Sequence, residues 1–315
     1  MGRRPDRPKR VSGSKGRGAP QRGAVARGSS GRGASPQRAP EKGGGRPSGG
    51  ASRKRGLGGD QVEGRQAVRE LLLAGRRRTF ELLVSAGEDG RLDGPLADLV
   101  ELADDLRVPV QRVARTKLDA QARTDAPQGV IARAEPLPET ELDELAVTPS
   151  ADGGPPFLVA VDGVTDPGNL GALLRSAECA GVSGIVLPRH RAAHVTPTVT
   201  KAAAGAIEHL PIAVVGGLPA ALEQLKASGL WIVGLDAGGD TALHEIPFAA
   251  DPVVLVLGAE GAGLSRLVRQ RCDAVASIPL RGVLGSLNVA AAAAIATYEI
   301  ARSRGSGPGA DSREP

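Results

Sequence analysis

Residues 252–263 read PVVLVLGAEGAG, and this stretch decides the fold. Its first half is an unbroken apolar run rich in β-branched residues. That pattern marks a strand buried on both faces, as in a parallel sheet covered by helices on either side. Its second half places three glycines in six residues directly after the strand. Open α/β sheets collect ligands at the carboxyl ends of their strands.

Working outward from this strand, the pattern alternates. Apolar strands are expected at residues 157–164, 184–188, 211–215, 230–235 and 275–280. Between them lie helical stripes. Leu170, Leu173, Leu174 and Ala177 form one, and residues 199–207, 218–227, 265–272 and 286–302 supply the rest. The reading is a doubly wound α/β domain over residues 157–303, with a short flexible tail at 304–315. A smaller α/β domain precedes it over residues 57–135. There Val62, Ala67, Val68, Leu71 and Leu72 share one helix face ending near Gly75. A second helix carries Leu96, Leu99, Val100 and Leu102, and strands fall at 80–85, 108–113 and 129–134. An acid- and proline-rich linker is expected at 136–156.

Composition narrows the function. The 315 residues are 41% hydrophobic, yet only Phe80, Phe157, Trp231, Phe248 and Tyr298 are aromatic. The core is therefore aliphatic, and RNA-binding modules that stack bases on aromatic platforms are disfavoured. No apolar run is long enough for a membrane span, and the N-terminus lacks the apolar core of a secretory signal. Cys179 and Cys272, with His190, His194, His209 and His244, show no zinc-ligand spacing. A reduced, metal-free cytoplasmic protein is expected. Charge is uneven: residues 1–55 hold 16 Lys/Arg against Asp6 and Glu41, with 13 Gly and 6 Pro. Such a segment reads as a disordered basic arm that attracts polyanions without sequence readout.

Three loops at strand ends carry candidate chemistry. DGVTDPGNLGALLR (162–175) presents Asn169 and Arg175; GAEGAG (258–263) presents Gly258 and Glu260; IPLRGVLGSLN (278–288) presents Ser286 and Asn288. Each has a plainer reading. Asn169 can be a helix cap and Arg175 a solvated charge paired with Glu178; 258–263 can be a tight turn; Ser286 can be an N-cap. The order of glycines in 258–263 matches neither a dinucleotide fingerprint nor a Walker A loop, which argues against an oxidoreductase or an ATP site.

Together the three loops resemble the SpoU/TrmH family of RNA ribose 2′-O-methyltransferases. Its motif N-x-G-x-x-x-R-x-A appears at Asn169, Gly171, Arg175 and Ala177. G-x-E-x-x-G appears at Gly258, Glu260 and Gly263. A proline followed by S-L-N-V-x-x-A appears at Pro279, Ser286, Leu287, Asn288, Val289 and Ala292. Residues 57–135 resemble the L30e-like RNA-binding domain of the RlmB type, matching best at Val62-Glu63-Gly64 and Gln128-Gly129-Val130-Ile131.

The resemblance implies a SPOUT fold with a trefoil knot, a homodimer, and S-adenosylmethionine (AdoMet) held mainly by backbone at Gly258, Ile278 and Leu287. Leu257, Leu280 and Asn288 are the implied neighbours. It implies that Arg175 deprotonates or stabilises the ribose hydroxyl, with Asn169, Glu260, Ser286 and Asn288 positioning it. The implied substrate is a guanosine in the peptidyl-tRNA-binding loop of 23S rRNA. Another rRNA nucleotide (the thiostrepton-resistance type), a tRNA, or a noncatalytic assembly role are the competing expectations.

Overall fold

The structure, a computed structural model, describes residues 57–87, 91–190 and 195–305. The basic arm expected at 1–55 and most of the expected tail lie outside the described residues. Arg304 and Gly305 belong to the last helix.

The chain begins with a four-stranded mixed sheet. In chain order it runs β1 (Gln61–Glu63), α1 (Arg65–Ala74), β2 (Thr79–Ala86), α2 (Gly94–Asp105), β3 (Val110–Ala114), α3 (Arg115–Asp119) and β4 (Val130–Ala134). The sheet order is β1-β4-β2-β3, with only β2 and β3 parallel. Helix α1 stops because Gly75 adopts a left-handed C-cap. One expectation fails here: Val62 belongs to β1, paired with Ala132, and not to the α1 face. Three residues of strand are too short for period-2 alternation to register.

The segment from 136 to 156, expected as a linker, is packed. Leu137 is buried and Leu145 fully so, and α4 (Leu142–Leu145) forms within it.

The second sheet follows. Its elements are β5 (Phe157–Val161), α5 (Pro167–Cys179), β6 (Gly184–Pro188), α6 (Pro197–Ala202), β7 (Ile212–Val215), α7 (Leu218–Ala227), β8 (Trp231–Leu235), β9 (Thr241–Ala242), β10 (Val253–Leu257), α8 (Arg266–Arg269), β11 (Ala274–Ser277) and α9 (Val289–Gly305). A 3₁₀ turn at Ala206–Glu208 follows α6. All seven strands are parallel, in the order β7-β6-β5-β10-β8-β11-β9.

The apolar run at 253–257 lies at the centre of this sheet. Val253, Leu255 and Leu257 face one core with Leu170, Leu174 and Ala293, while Val254 and Val256 face another with Leu222 and Val268. Burial on both faces explains why the strand shows no polar alternation. Helix α9 packs on α5 through small residues, with Ala293 and Ala296 fully buried. It starts three residues later than expected, leaving Ser286 to Asn288 in the loop before it.

The far end of α9 is pinned by one side chain. The Arg304 guanidinium donates to the carbonyls of Ala249 (3.1 Å), Pro155 (2.6 Å), Pro156 (3.2 Å) and Asp251 (2.6 Å). It also lies over the Phe157 ring, 4.9 Å from the centroid. R304A leaves these carbonyls without their donor and is expected to destabilise the fold by about 2 kcal/mol. Urea unfolding checks this; a midpoint equal to that of the native chain would contradict it.

Candidate active site

The carboxyl ends of β5, β10, β8 and β11 lie side by side, so their following loops converge on one edge. The loop after β10 is closed on itself by reciprocal backbone bonds between Ala259 and Gly263, at 3.0 and 2.9 Å. Gly258 must be glycine for this. A Cβ there would stand 2.5 Å from the Gly263 carbonyl oxygen and 2.6 Å from the Leu264 amide nitrogen.

Two aspartates hold the loop from either side. Asp162, just after β5, accepts from the Ser265 amide at 2.7 Å. Asp236, just after β8, accepts from the amides of Leu264 (3.0 Å) and Gly238 (2.9 Å) and pairs with Arg269 at 3.2 Å. Burial pushes the Asp236 carboxyl up, but those two amides and the Arg269 guanidinium outweigh it and hold the group below its ordinary range. A lowered folded value stabilises the loop above the unfolded carboxylate range, and the stabilisation is lost as pH falls through the folded value. Acid unfolding of the native chain is therefore expected to steepen below about pH 4. D236N should flatten that limb, and an unchanged acid limb would contradict the assignment.

The result is an open-mouthed cleft enclosing about 190 Å³. Its floor is apolar, formed by Leu235, Leu257, Ile278, Leu280 and Leu287. The rest is largely loop backbone at 258–263, with Ser286 at the rim. Its only charged lining groups are the carboxylates of Asp236 and Glu260, with no basic side chain. Such a lining suits a neutral or cationic ligand and disfavours a phosphate.

A directional hydrogen-bond chain runs along the mouth. Asn169 Nδ2 donates to Glu260 Oε2 at 3.2 Å, and Asn288 Nδ2 donates to Asn169 Oδ1 at 3.0 Å. Asn288 Oδ1 in turn accepts from the amides of Ala290 (2.9 Å) and Ala291 (3.3 Å) at the start of α9. Both carboxamides are thereby fixed in orientation, each end having a partner of one polarity. The cap assignments differ from the expectation. Asp166, whose Oδ1 accepts from the Asn169 amide at 2.7 Å, caps α5, and Asn288 rather than Ser286 serves α9. Asn169 is thus free to point its side chain at the other two loops.

Leu257, Gly258, Glu260, Ile278, Leu280, Ser286 and Leu287 all line the cleft, and Asn169 and Asn288 adjoin it through Glu260. Arg175 stands apart. It is exposed on α5, lines no part of the cleft and forms no hydrogen bond or ion pair with a described residue. The expected alternative pairing with Glu178 is not formed. Sequence reasoning missed Asp236, whose signal was an acid followed by Ala-Gly-Gly at the end of an apolar strand. The described residues contain no group of three or more His, Cys, Asp or Glu placed to hold a metal ion. None of their helices is long and apolar enough to cross a membrane.

Comparison with known proteins finds relatives over most of the described chain. Residues 156–298 match the SpoU rRNA Methylase family, and residues 61–140 match RNA 2′-O ribose methyltransferase substrate binding. An uncharacterized tRNA/rRNA methyltransferase of Mycolicibacterium smegmatis is 40% identical over 254 residues, covering 78% of this chain and 80% of its own. The putative TrmH family tRNA/rRNA methyltransferase YacO of Bacillus subtilis is 38% identical over 78% of this chain and 96% of its own. The crystal structure of the SpoU methyltransferase AviRb from Streptomyces viridochromogenes, in complex with the cofactor AdoMet, superposes with a TM-score of 0.64. It is 27% identical and covers 78% of this chain and 91% of that one.

Proposed function

The chain belongs to the SpoU family of RNA methylases, and on that premise we propose that it methylates a ribose 2′-hydroxyl of a guanosine in the peptidyl-tRNA-binding loop of 23S rRNA. The cofactor is AdoMet, as in its SpoU relative of known structure. When bound, AdoMet supplies an electrophilic methyl group on a positively charged sulfur.

The cleft fits that molecule on its own chemistry. Gly258 lets the 258–263 loop close on itself beside the cleft, the leucines and Ile278 offer an apolar bed for adenine, and the acidic rim favours a cation. Asn288 completes the rim through its bond to Asn169.

The observation that carries the reading is the Asn288–Asn169–Glu260 chain across the mouth. A ribose hydroxyl is a poor nucleophile until its proton leaves, so the enzyme must orient the hydroxyl and favour the negative charge that develops on oxygen. Asn169, Asn288 and Ser286 orient the sugar, and Glu260 locks the Asn169 amide. Arg175 supplies the positive charge. An arginine gives up its proton with difficulty; its role here is to hold the RNA phosphate and stabilise the developing alkoxide.

Arg175 is exposed on α5 and forms no hydrogen bond or ion pair with a described residue. Val283, Leu284, Ile295 and Tyr298 are exposed on the loop before α9 and on α9 itself. A second copy covering these residues would make a homodimer with its sites near the interface. We further propose that the C-terminal segment forms the trefoil knot of the SPOUT fold, and that residues 57–135 are an L30e-like module gripping folded RNA by shape and backbone.

Transfer of labelled methyl from AdoMet to a 23S rRNA transcript and to bulk tRNA tests the proposal. Label in 23S rRNA alone is expected. Label in tRNA alone would overturn the substrate, and label in neither would overturn the activity.

A further inference from the structure

The small module is bolted to the catalytic part by a buried ion pair. Arg77, in the turn between α1 and β2, and Glu208, in the 3₁₀ turn after α6, have side chains only 2% and 1% exposed. The pairing is bidentate: Arg77 Nε donates to Glu208 Oε2 at 2.9 Å and Nη2 to Oε1 at 2.5 Å. Nη1 donates to the carbonyls of Gly59 (2.6 Å) and Glu135 (2.5 Å), which are the points where the chain enters and leaves the small sheet. Arg76 adds a bond to the Glu208 carbonyl at 3.1 Å. One guanidinium thus ties the hinge segment to the catalytic part.

The contact continues to the active site through two glycines. Gly205, at a φ of +86°, lets α1 approach so closely that a Cβ there would stand 2.5 Å from Glu70 Cβ and 3.1 Å from Ala67 Cα. On the other side of α6, a Cβ on Gly171 would meet Ala202 Cβ, with the Val199 carbonyl at 2.8 Å. Gly171 lies on α5, two residues beyond Asn169. From α1 across the turn after α6 to α5 the packing is close, Gly205 lying against Glu70 and Ala67 and Gly171 against Ala202 and the Val199 carbonyl.

We propose that the Arg77–Glu208 pair is a positioning device, holding the RNA-binding module at one fixed distance and angle from the methyl-transfer site so that the target nucleotide is measured off a rigid frame. This rests on the function proposed above. Neither residue touches substrate; both act through the placement of residues 57–135.

The test uses the full chain with E208Q and R77K. In E208Q the new amide nitrogen faces a guanidinium that can only donate. R77K keeps the charge but loses the fork. The 23S rRNA transcript serves as substrate. For E208Q its KM is expected to rise about tenfold or more, with kcat and AdoMet affinity within about twofold of native, and R77K should fall between. Small-angle scattering should show a larger radius of gyration for E208Q. A KM within about twofold of native in both variants would overturn the proposal. So would parallel losses of kcat and AdoMet affinity, which report general loosening. Should the native chain methylate neither RNA, the functional reading alone fails. The clamp is then judged by scattering, where an E208Q profile identical to native overturns it.

Discussion

G258A is expected to weaken AdoMet binding at least about a hundredfold, close to 2.7 kcal/mol. The methyl it introduces would collide with the backbone of Gly263 and Leu264, not with a side chain that could swing away. The loop at 259–263 must therefore shift, and with it the carbonyls and amides lining the cleft. Residues 259–263 belong to neither of the two cores that hold the parallel sheet, so the variant should remain folded. G282A is the matched control, since a Cβ there meets nothing within 4 Å; its affinity should equal that of the native chain. Calorimetric titration reads both. Native affinity in G258A would mean that the cleft is not the cofactor site.

R175A is expected to lower kcat about a thousandfold while leaving AdoMet affinity within about twofold. The split follows from position. Arg175 lines no part of the cleft, so the cofactor does not sense its loss, whereas the developing oxyanion loses its positive neighbour. R175K should recover only part of the rate, because an ammonium cannot reproduce the planar fork on a phosphate. A kcat within about tenfold of native in R175A would remove Arg175 from the chemistry.

Much of this architecture was legible in the sequence, and the reasons are local. The strand at 253–257 is apolar throughout because two cores press on it, and the helix at Leu218–Ala227 has a buried stripe of Leu218, Ala221, Leu222 and Leu225. Elements without such a signature were misread. β1 is three residues long, β9 two, and α4 one turn inside a proline-rich stretch. Their existence depends on partners far away in the chain. The start of α9 was set too early because Ser286 and Leu287 look helical, while the cap belongs to Asn288.

The site shows the same division. Glycine-rich and Asn-bearing loops at strand ends pointed to Asn169, Gly258, Glu260 and Asn288. Which carboxamide bonds to which carboxylate was not legible, since that depends on loops 91 and 119 residues apart meeting at one edge. Asp236 escaped notice because its role is to receive amides from a distant loop. The Arg77–Glu208 pair, 131 residues apart, was equally invisible: as letters, each is an ordinary surface charge.

The proposed activity carries a methyl group to a ribose oxygen and not to a base. The most direct measurement is mass spectrometry of the nucleosides released from 23S rRNA after incubation with the chain and AdoMet. The account predicts one new product, 2′-O-methylguanosine, absent when G258A replaces the native chain. A methyl group carried on a base would contradict it.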